Sequence, residues 1–226
     1  MLFRSHKEAD QHEKNLKRKW ELLESRKDDI KTKLDSELRQ EGVFPDGLVL
    51  DLPEPIGILM PPSTLVGEST AQRTKMEIIA CLLDNEVGKI GVYGMGGIGK
   101  TTVIKEVNNF LFNESNRFES VIWVTVSKEF DLIKLQNDIA SRLALELPKF
   151  DDEIIRAAKL YTALKDRRYV LILDDLWETF ALEKVGIPEP TPANGCKIVL
   201  TTRYLDVCRG MSCKDIKMEL DRKSVV

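Results

Sequence analysis

Cysteine and histidine are scarce in this 226-residue chain: Cys81, Cys196, Cys208 and Cys213 are scattered without CxxC spacing, and only His6 and His12 could assist them as metal ligands. That pattern excludes a zinc framework and a disulfide scaffold, and it is the pattern of reduced thiols in a cytosolic protein, so a cytoplasmic location is expected. Long apolar runs are missing too. No stretch approaches the roughly eighteen residues that a membrane span needs. Met1-Leu2-Phe3-Arg4 leads into charge rather than into the core of a signal peptide, and position 2 is not glycine, which excludes N-myristoylation at this start. An excess of one charge is also lacking. A net charge of -3 argues against a surface that coats nucleic acid. With 42% hydrophobic and 31% charged residues the average is globular, and the length has room for one ordinary domain plus something smaller.

What the chain does have is a glycine-rich loop, Gly91-Val92-Tyr93-Gly94-Met95-Gly96-Gly97-Ile98-Gly99-Lys100-Thr101-Thr102. Gly94, Gly99, Lys100 and Thr101 fill the pattern GxxxxGK[ST] between a short apolar run and a helical one. Glycines at 94, 96, 97 and 99 let successive N–H groups approach phosphate oxygens, where side chains would block them. The helix that starts near Lys100 adds its positive end. Lys100 can then reach the β- and γ-phosphates, Thr101 can ligate magnesium, and Thr102 is placed to touch the α-phosphate. A plain strand-to-helix connector has no need of Lys-Thr.

Two other segments end at the same rim. Val170-Leu171-Ile172-Leu173-Asp174-Asp175 carries two carboxylates at the end of a buried strand, where open α/β sheets bind ligands. Asp174 suits a magnesium ion and Asp175 an attacking water; a helix cap or turn aspartate is the alternative for either. The next strand ends in Thr201-Thr202-Arg203, and a guanidinium there can report the γ-phosphate, unless Arg203 only forms a surface ion pair.

The alternation of apolar runs and helical stripes predicts a parallel sheet flanked by helices. Strands are expected at Lys89 to Tyr93, Val121 to Val126, Tyr169 to Leu173, Lys197 to Leu200 and Ile216 to Leu220. Helical stripes are read at Met76, Ile79, Ala80 and Leu83; at Val103, Ile104, Val107, Phe110 and Leu111; at Leu132, Leu135, Ile139 and Leu143; and at Ile154, Ala158, Tyr161 and Leu164. Ahead of these, residues 1–41 place Leu16, Trp20, Leu23, Ile30 and Leu34 on a seven-residue repeat broken by Lys27, and residues 42–61 are rich in proline and glycine. The first reads as an amphipathic helix or partial coiled coil able to pair with other proteins, or as a solvated single helix; the second reads as a linker.

The ordered set GMGGIGKTT, FESVIWVTVSKEFDLIKLQNDIASRL, YVLILDDLWE and GCKIVLTTRYLDVC resembles the nucleotide-binding domain of plant disease-resistance proteins of the NB-ARC family. Trp177 after LDDL is similar to the coiled-coil subclass. The resemblance implies a P-loop NTPase of the STAND type with a parallel five-stranded sheet over residues 62–220, followed by a tail at 221–226. It implies an ADP/ATP switch of plant innate immunity, a slow ATPase at most, with Mg2+ as cofactor. Lys100, Thr101 and Thr102 would contact phosphates and magnesium, Asp174 and Asp175 the ion and the hydrolytic water, Arg203 the γ-phosphate, and Val66 the adenine. The family's GLPL and MHD motifs and its leucine-rich repeats are absent after Leu220, so a truncated disease-resistance protein is expected. Two other functions are weighed beside the switch. One is an adaptor or decoy that uses residues 1–41 to self-associate or to pair with full-length immune receptors; the other is a small-molecule kinase, against which there is no Arg-rich lid.

Overall fold

The structure, a computed structural model, describes residue 18 and residues 57–61, 68–113, 117–126, 128–148 and 152–219. The chain divides into two compact units, Met1–Glu54 and Pro55–Val226. In the first only Arg18 is described, helical and exposed. Apart from Arg18, the expected helix at 1–41 lies outside the described residues, as do the tail at 221–226, Val66 and the linker before Gly57. The second unit contains the sheet.

Five strands, β1 (Lys89–Tyr93), β2 (Ser120–Thr125), β3 (Tyr169–Leu176), β4 (Lys197–Thr202) and β5 (Lys214–Lys217), form one sheet in the order β2-β3-β4-β1-β5. Every neighbouring pair is parallel, as the sequence predicts. Their apolar character follows from this position. β4 is buried at all six residues and β3 at seven of eight, since helices cover a parallel sheet that water would otherwise reach. The helices are α1 (Glu68–Leu83), α2 (Lys100–Asn113), α3 (Leu132–Arg142), α4 (Glu153–Leu164), α5 (Leu182–Val185) and α6 (Leu205–Gly210). α1 packs on α2, while α3, α4 and α5 pack together. Ile58 and Met60 are tied to α2 by Asn108 and Asn109, whose amides meet their backbone at 2.8–3.0 Å.

Topology places the ligand crevice. From β1 the chain crosses to β2 at one edge, whereas from β4 it crosses through α6 to β5 at the other. The direction of winding reverses beside the adjacent pair β1 and β4, and a crevice opens there at the carboxyl ends of the strands.

Two helices bury only part of the expected stripes, Ile79 in one and Leu164 in the other. In α1 the buried positions are Ala71, Thr74, Ile78, Ile79, Cys81 and Leu82, with Met76, Ala80 and Leu83 only partly covered. In α4 the core side carries Arg156, Ala157, Leu160 and Leu164, while Ile154 is 76% and Tyr161 49% exposed. Arg156 is the cause. Its guanidinium, 2% exposed, donates to Gln136 Oε1 at 3.1 Å, to the Pro148 carbonyl at 2.7 Å and to Asn137 Oδ1. Gln136 in turn donates to the carbonyls of Glu153 and Lys184, so a polar network joins α3, α4 and α5. A charge satisfied by neutral acceptors takes the place that the apolar stripe would have claimed. Arg156→Ala leaves those acceptors unpaired, and a loss of about 2–3 kcal/mol is expected. Urea unfolding checks it: the midpoint should fall with the slope unchanged.

Candidate phosphate-binding cleft

The loop between β1 and α2 turns through positive φ at Gly97 (75°) and Gly99 (96°), a region costly for residues with a Cβ. At Gly94 the constraint is contact, because a Cβ there would sit 2.5 Å from the Met218 carbonyl oxygen. Among the described residues no acceptor takes the N–H groups of Gly96, Gly97 or Gly99. The first N–H groups of α2 likewise have no partner within the helix. A row of open donors therefore meets the positive end of a helix, which is the chemistry of a phosphate cradle.

Lys100, Thr101 and Thr102 form the first turn of α2. Lys100, 7% exposed, folds back so that its ammonium donates to the carbonyls of Gly94 at 2.7 Å and Met95 at 2.8 Å. Burial holds its pKa below the usual lysine value and Arg203 adds repulsion, while Asp175 and Asp174 oppose both. Thr101 Oγ1 lies 3.1 Å from each carboxylate oxygen of Asp174.

Asp174 reaches this position through an irregularity in β3. The register with β4 shifts between Leu173 and Leu176, and Asp175 adopts φ 60°. Thr201 of β4 holds the shift from both sides: its hydroxyl donates to Asp174 Oδ1 at 2.7 Å and accepts from the Asp175 N–H at 2.8 Å. Asp174 is 4% exposed, and burial raises its pKa above the ordinary carboxylate range. The Thr201 and Thr101 hydroxyls lower it, and the Asp175 charge adds to the rise. Asp175 faces outward. Its Oδ2 accepts from Trp177 Nε1 at 3.2 Å, and its Oδ1 lies 4.0 Å from Arg203 Nε, both side chains being roughly half exposed.

Arg203 rests between the loop and an aromatic plate. A Cβ at Gly96 would lie 3.2 Å from its guanidinium carbon, and that carbon is 4.5 Å from the centre of the Trp177 ring. Tyr204 meets the same ring edge-on at 6.1 Å and Lys128 lies over it at 5.3 Å. The sequence marks Trp177 only as a subclass residue; its place as the platform under Arg203 emerges from the β3 irregularity. Thr201, also missed, belongs to the same turn. A hydroxyl beside a strand-end carboxylate was the available signal for it.

Gly96, Gly97, Gly99, Lys100, Thr101, Thr102, Asp174, Asp175 and Arg203 thus line one cleft of about 410 Å³, together with Thr125 and Thr201. A larger groove, about 900 Å³ between α4 and α5, holds none of these residues. Among the described residues no helix is long and apolar enough to cross a membrane.

The buried carboxylate carries a stability cost with a definite sign. Because the folded chain binds the Asp174 proton more tightly than the unfolded chain, stability declines as pH rises from the ordinary aspartate value through the raised one. Asp174→Asn removes that charge. At neutral pH the ligand-free protein should melt at a higher temperature than the parent. The gain should vanish below the ordinary aspartate range, and thermal melts at several pH values check both parts.

Residues 71–222 match the NB-ARC domain. The chain is 43% identical over 155 residues to the disease resistance protein SUMM2 of Arabidopsis thaliana, an overlap covering 67% of this chain and 17% of SUMM2. With the disease resistance protein RPS5 of the same plant it shares 42% over 137 residues, 59% of this chain and 15% of RPS5. It therefore spans about a sixth of the length of these relatives. Cdc6p from Pyrobaculum aerophilum, a solved structure, is similar with a TM-score of 0.50 at 14% identity, covering 72% of this chain and 48% of that one, a likeness of fold. With the loop, the paired aspartates and the strand-end arginine on one parallel sheet inside the matched residues, the chain belongs to the NB-ARC domain family.

Proposed function

We propose that this chain is the nucleotide-binding part of an ADP/ATP switch of plant innate immunity, acting in the cytoplasm, with residues 62–220 as the nucleotide-binding domain. The observation that carries the reading is the cleft's pairing of an open phosphate cradle with a strand-end cation: unpartnered loop N–H groups, with the Arg203 guanidinium beside them at Gly96. The defence role is supported by the relatives, which are disease resistance proteins.

The residues fit a nucleotide and its ion. Loop N–H groups and Lys100 would hold the β- and γ-phosphates, and Thr102 the α-phosphate. Thr101 and Asp174, already in hydrogen-bond contact, form the hydroxyl-carboxylate pair that would hold Mg2+. When bound, the ion would neutralise charge between the β- and γ-phosphate oxygens. Arg203 is the discriminating group. Its seat on Trp177 and its 4.0 Å approach to Asp175 are weak, half-exposed contacts that a γ-phosphate can outcompete, and the loss of that phosphate returns the guanidinium to the ring. Two nucleotides then stabilise two arrangements of one side chain, which is what a switch needs. Asp175 would orient a water for slow hydrolysis. Val66 remains the proposed adenine contact. Residues 1–41 are proposed to engage other proteins through Leu23 and Ile30.

Chromatography of nucleotide released from purified protein should recover ADP or ATP, with Lys100→Ala reducing the amount at least about tenfold. An empty parent protein would sink the proposal. In a background of Trp20→Phe and Trp123→Phe, the Trp177 emission should respond more to ATP than to ADP. That difference should disappear in Arg203→Ala; equal responses in the parent would rule out Arg203 as the discriminator.

A further inference from the structure

At the opposite pole of the sheet, the amino ends of the strands surround a second cleft of about 490 Å³, lined by Asn85, Arg117, Phe118, Arg168, Pro192, Ala193, Gly195 and Lys197. Three of these residues are cationic, and among the described residues no carboxylate lines the space.

Two of the cations, Lys197 and Arg117, are held by neutral acceptors instead of ion pairs. Lys197, 3% exposed, donates to the carbonyls of Asp84 at 2.6 Å and of Val87, which leaves one ammonium proton. Arg117 Nη2 donates to the Leu83 carbonyl at 2.7 Å and to Asn85 Oδ1 at 3.0 Å, leaving the rest of its guanidinium unspent. The Arg168 guanidinium has no hydrogen-bond partner among the described residues, although its backbone N–H meets Glu119 Oε1 at 3.3 Å. Asp84 and Glu86 act on Lys197 only from a distance, and Arg117 repels it.

Like charges around an open space, with donors to spare, suit an anion. We propose that this cleft binds a small anion carrying two or more phosphate groups, with Arg117 and Arg168 as paired forks and Lys197 at the floor. Guanidinium forks match phosphate geometry, and the volume exceeds what one phosphate fills. The site is separate from the nucleotide cleft, since the two lie at opposite ends of the same parallel strands.

Inorganic pyrophosphate is the probe, titrated calorimetrically into full-length Lys100→Ala protein so that the phosphate loop is disabled. One saturable site is expected. Its affinity should fall about tenfold or more in the further variant R117Q/R168Q. Absence of saturable binding, or an affinity that R117Q/R168Q leaves unchanged, overturns the proposal. Arg117 also tethers the chain after α1, so a double variant with an altered melting curve is replaced by R168Q alone, whose guanidinium holds nothing else among the described residues. A drop of about fivefold is then expected, and an unchanged affinity overturns the proposal equally.

Discussion

Two hydroxyl protons converge on Asp174, one from Thr101 on α2 and one from Thr201 on β4. Around this carboxylate three elements that are distant in sequence are held to within one hydrogen bond of each other. The β3 irregularity turns Asp174 into the crevice. Thr201 keeps it there by accepting the displaced Asp175 N–H, and Thr101 fixes the first turn of α2 against the same oxygens. Burial of a carboxylate without a countercation is costly. That cost is accepted at the one point where a cation would make the carboxylate useful, and it marks the site more sharply than any cavity volume does.

The rest of the cleft is arranged around the same imbalance. Lys100 and Arg203 disfavour each other, and Asp174 and Asp175 do likewise. In the ligand-free arrangement each cation has a modest substitute: loop carbonyls for Lys100, an aromatic face for Arg203. A polyanion together with a divalent ion would supply the stronger partner for all four groups at once. Membership of the NB-ARC domain family and the chemistry of the cleft thus lead to the same class of ligand by separate routes.

Much of this was legible in the residues because certain positions admit few alternatives. Gly97 and Gly99 need positive φ, Lys100 and Thr101 follow at the spacing of a helix start, and the runs of β3 and β4 are too apolar to face water. Helix faces were less legible. Ile154 and Tyr161 look like core residues until Arg156 is seen to be satisfied by Gln136 and Asn137 on α3 and by Pro148 in the loop before α4. The short helices α5 and α6 carry too few turns for a periodicity to register. Strands β3 and β4 run further than their apolar cores, because Asp174, Thr201 and Thr202 stay in the ladder, with Asp174 and Thr201 lining the cleft, while Asp175 leaves it at the register shift. Thr201 and Trp177 acquire their parts only through the backbone turn at Asp175, which no local pattern announces.

Met218 gives the loop a rigid neighbour. Its N–H bonds the Tyr93 carbonyl at 2.8 Å, its own carbonyl abuts Gly94, and its methyl lies 3.6 Å from where a Cβ of Gly99 would stand. The two ends of the phosphate loop therefore rest against a single residue just past the four-residue edge strand β5. A short edge strand paired on one side only is among the easier parts of a sheet to displace. A displacement of the backbone at Met218 would therefore reach the start of the phosphate loop directly, through the Tyr93 hydrogen bond and the close approach to Gly94, so movement at the sheet's edge is felt where the phosphates would lie.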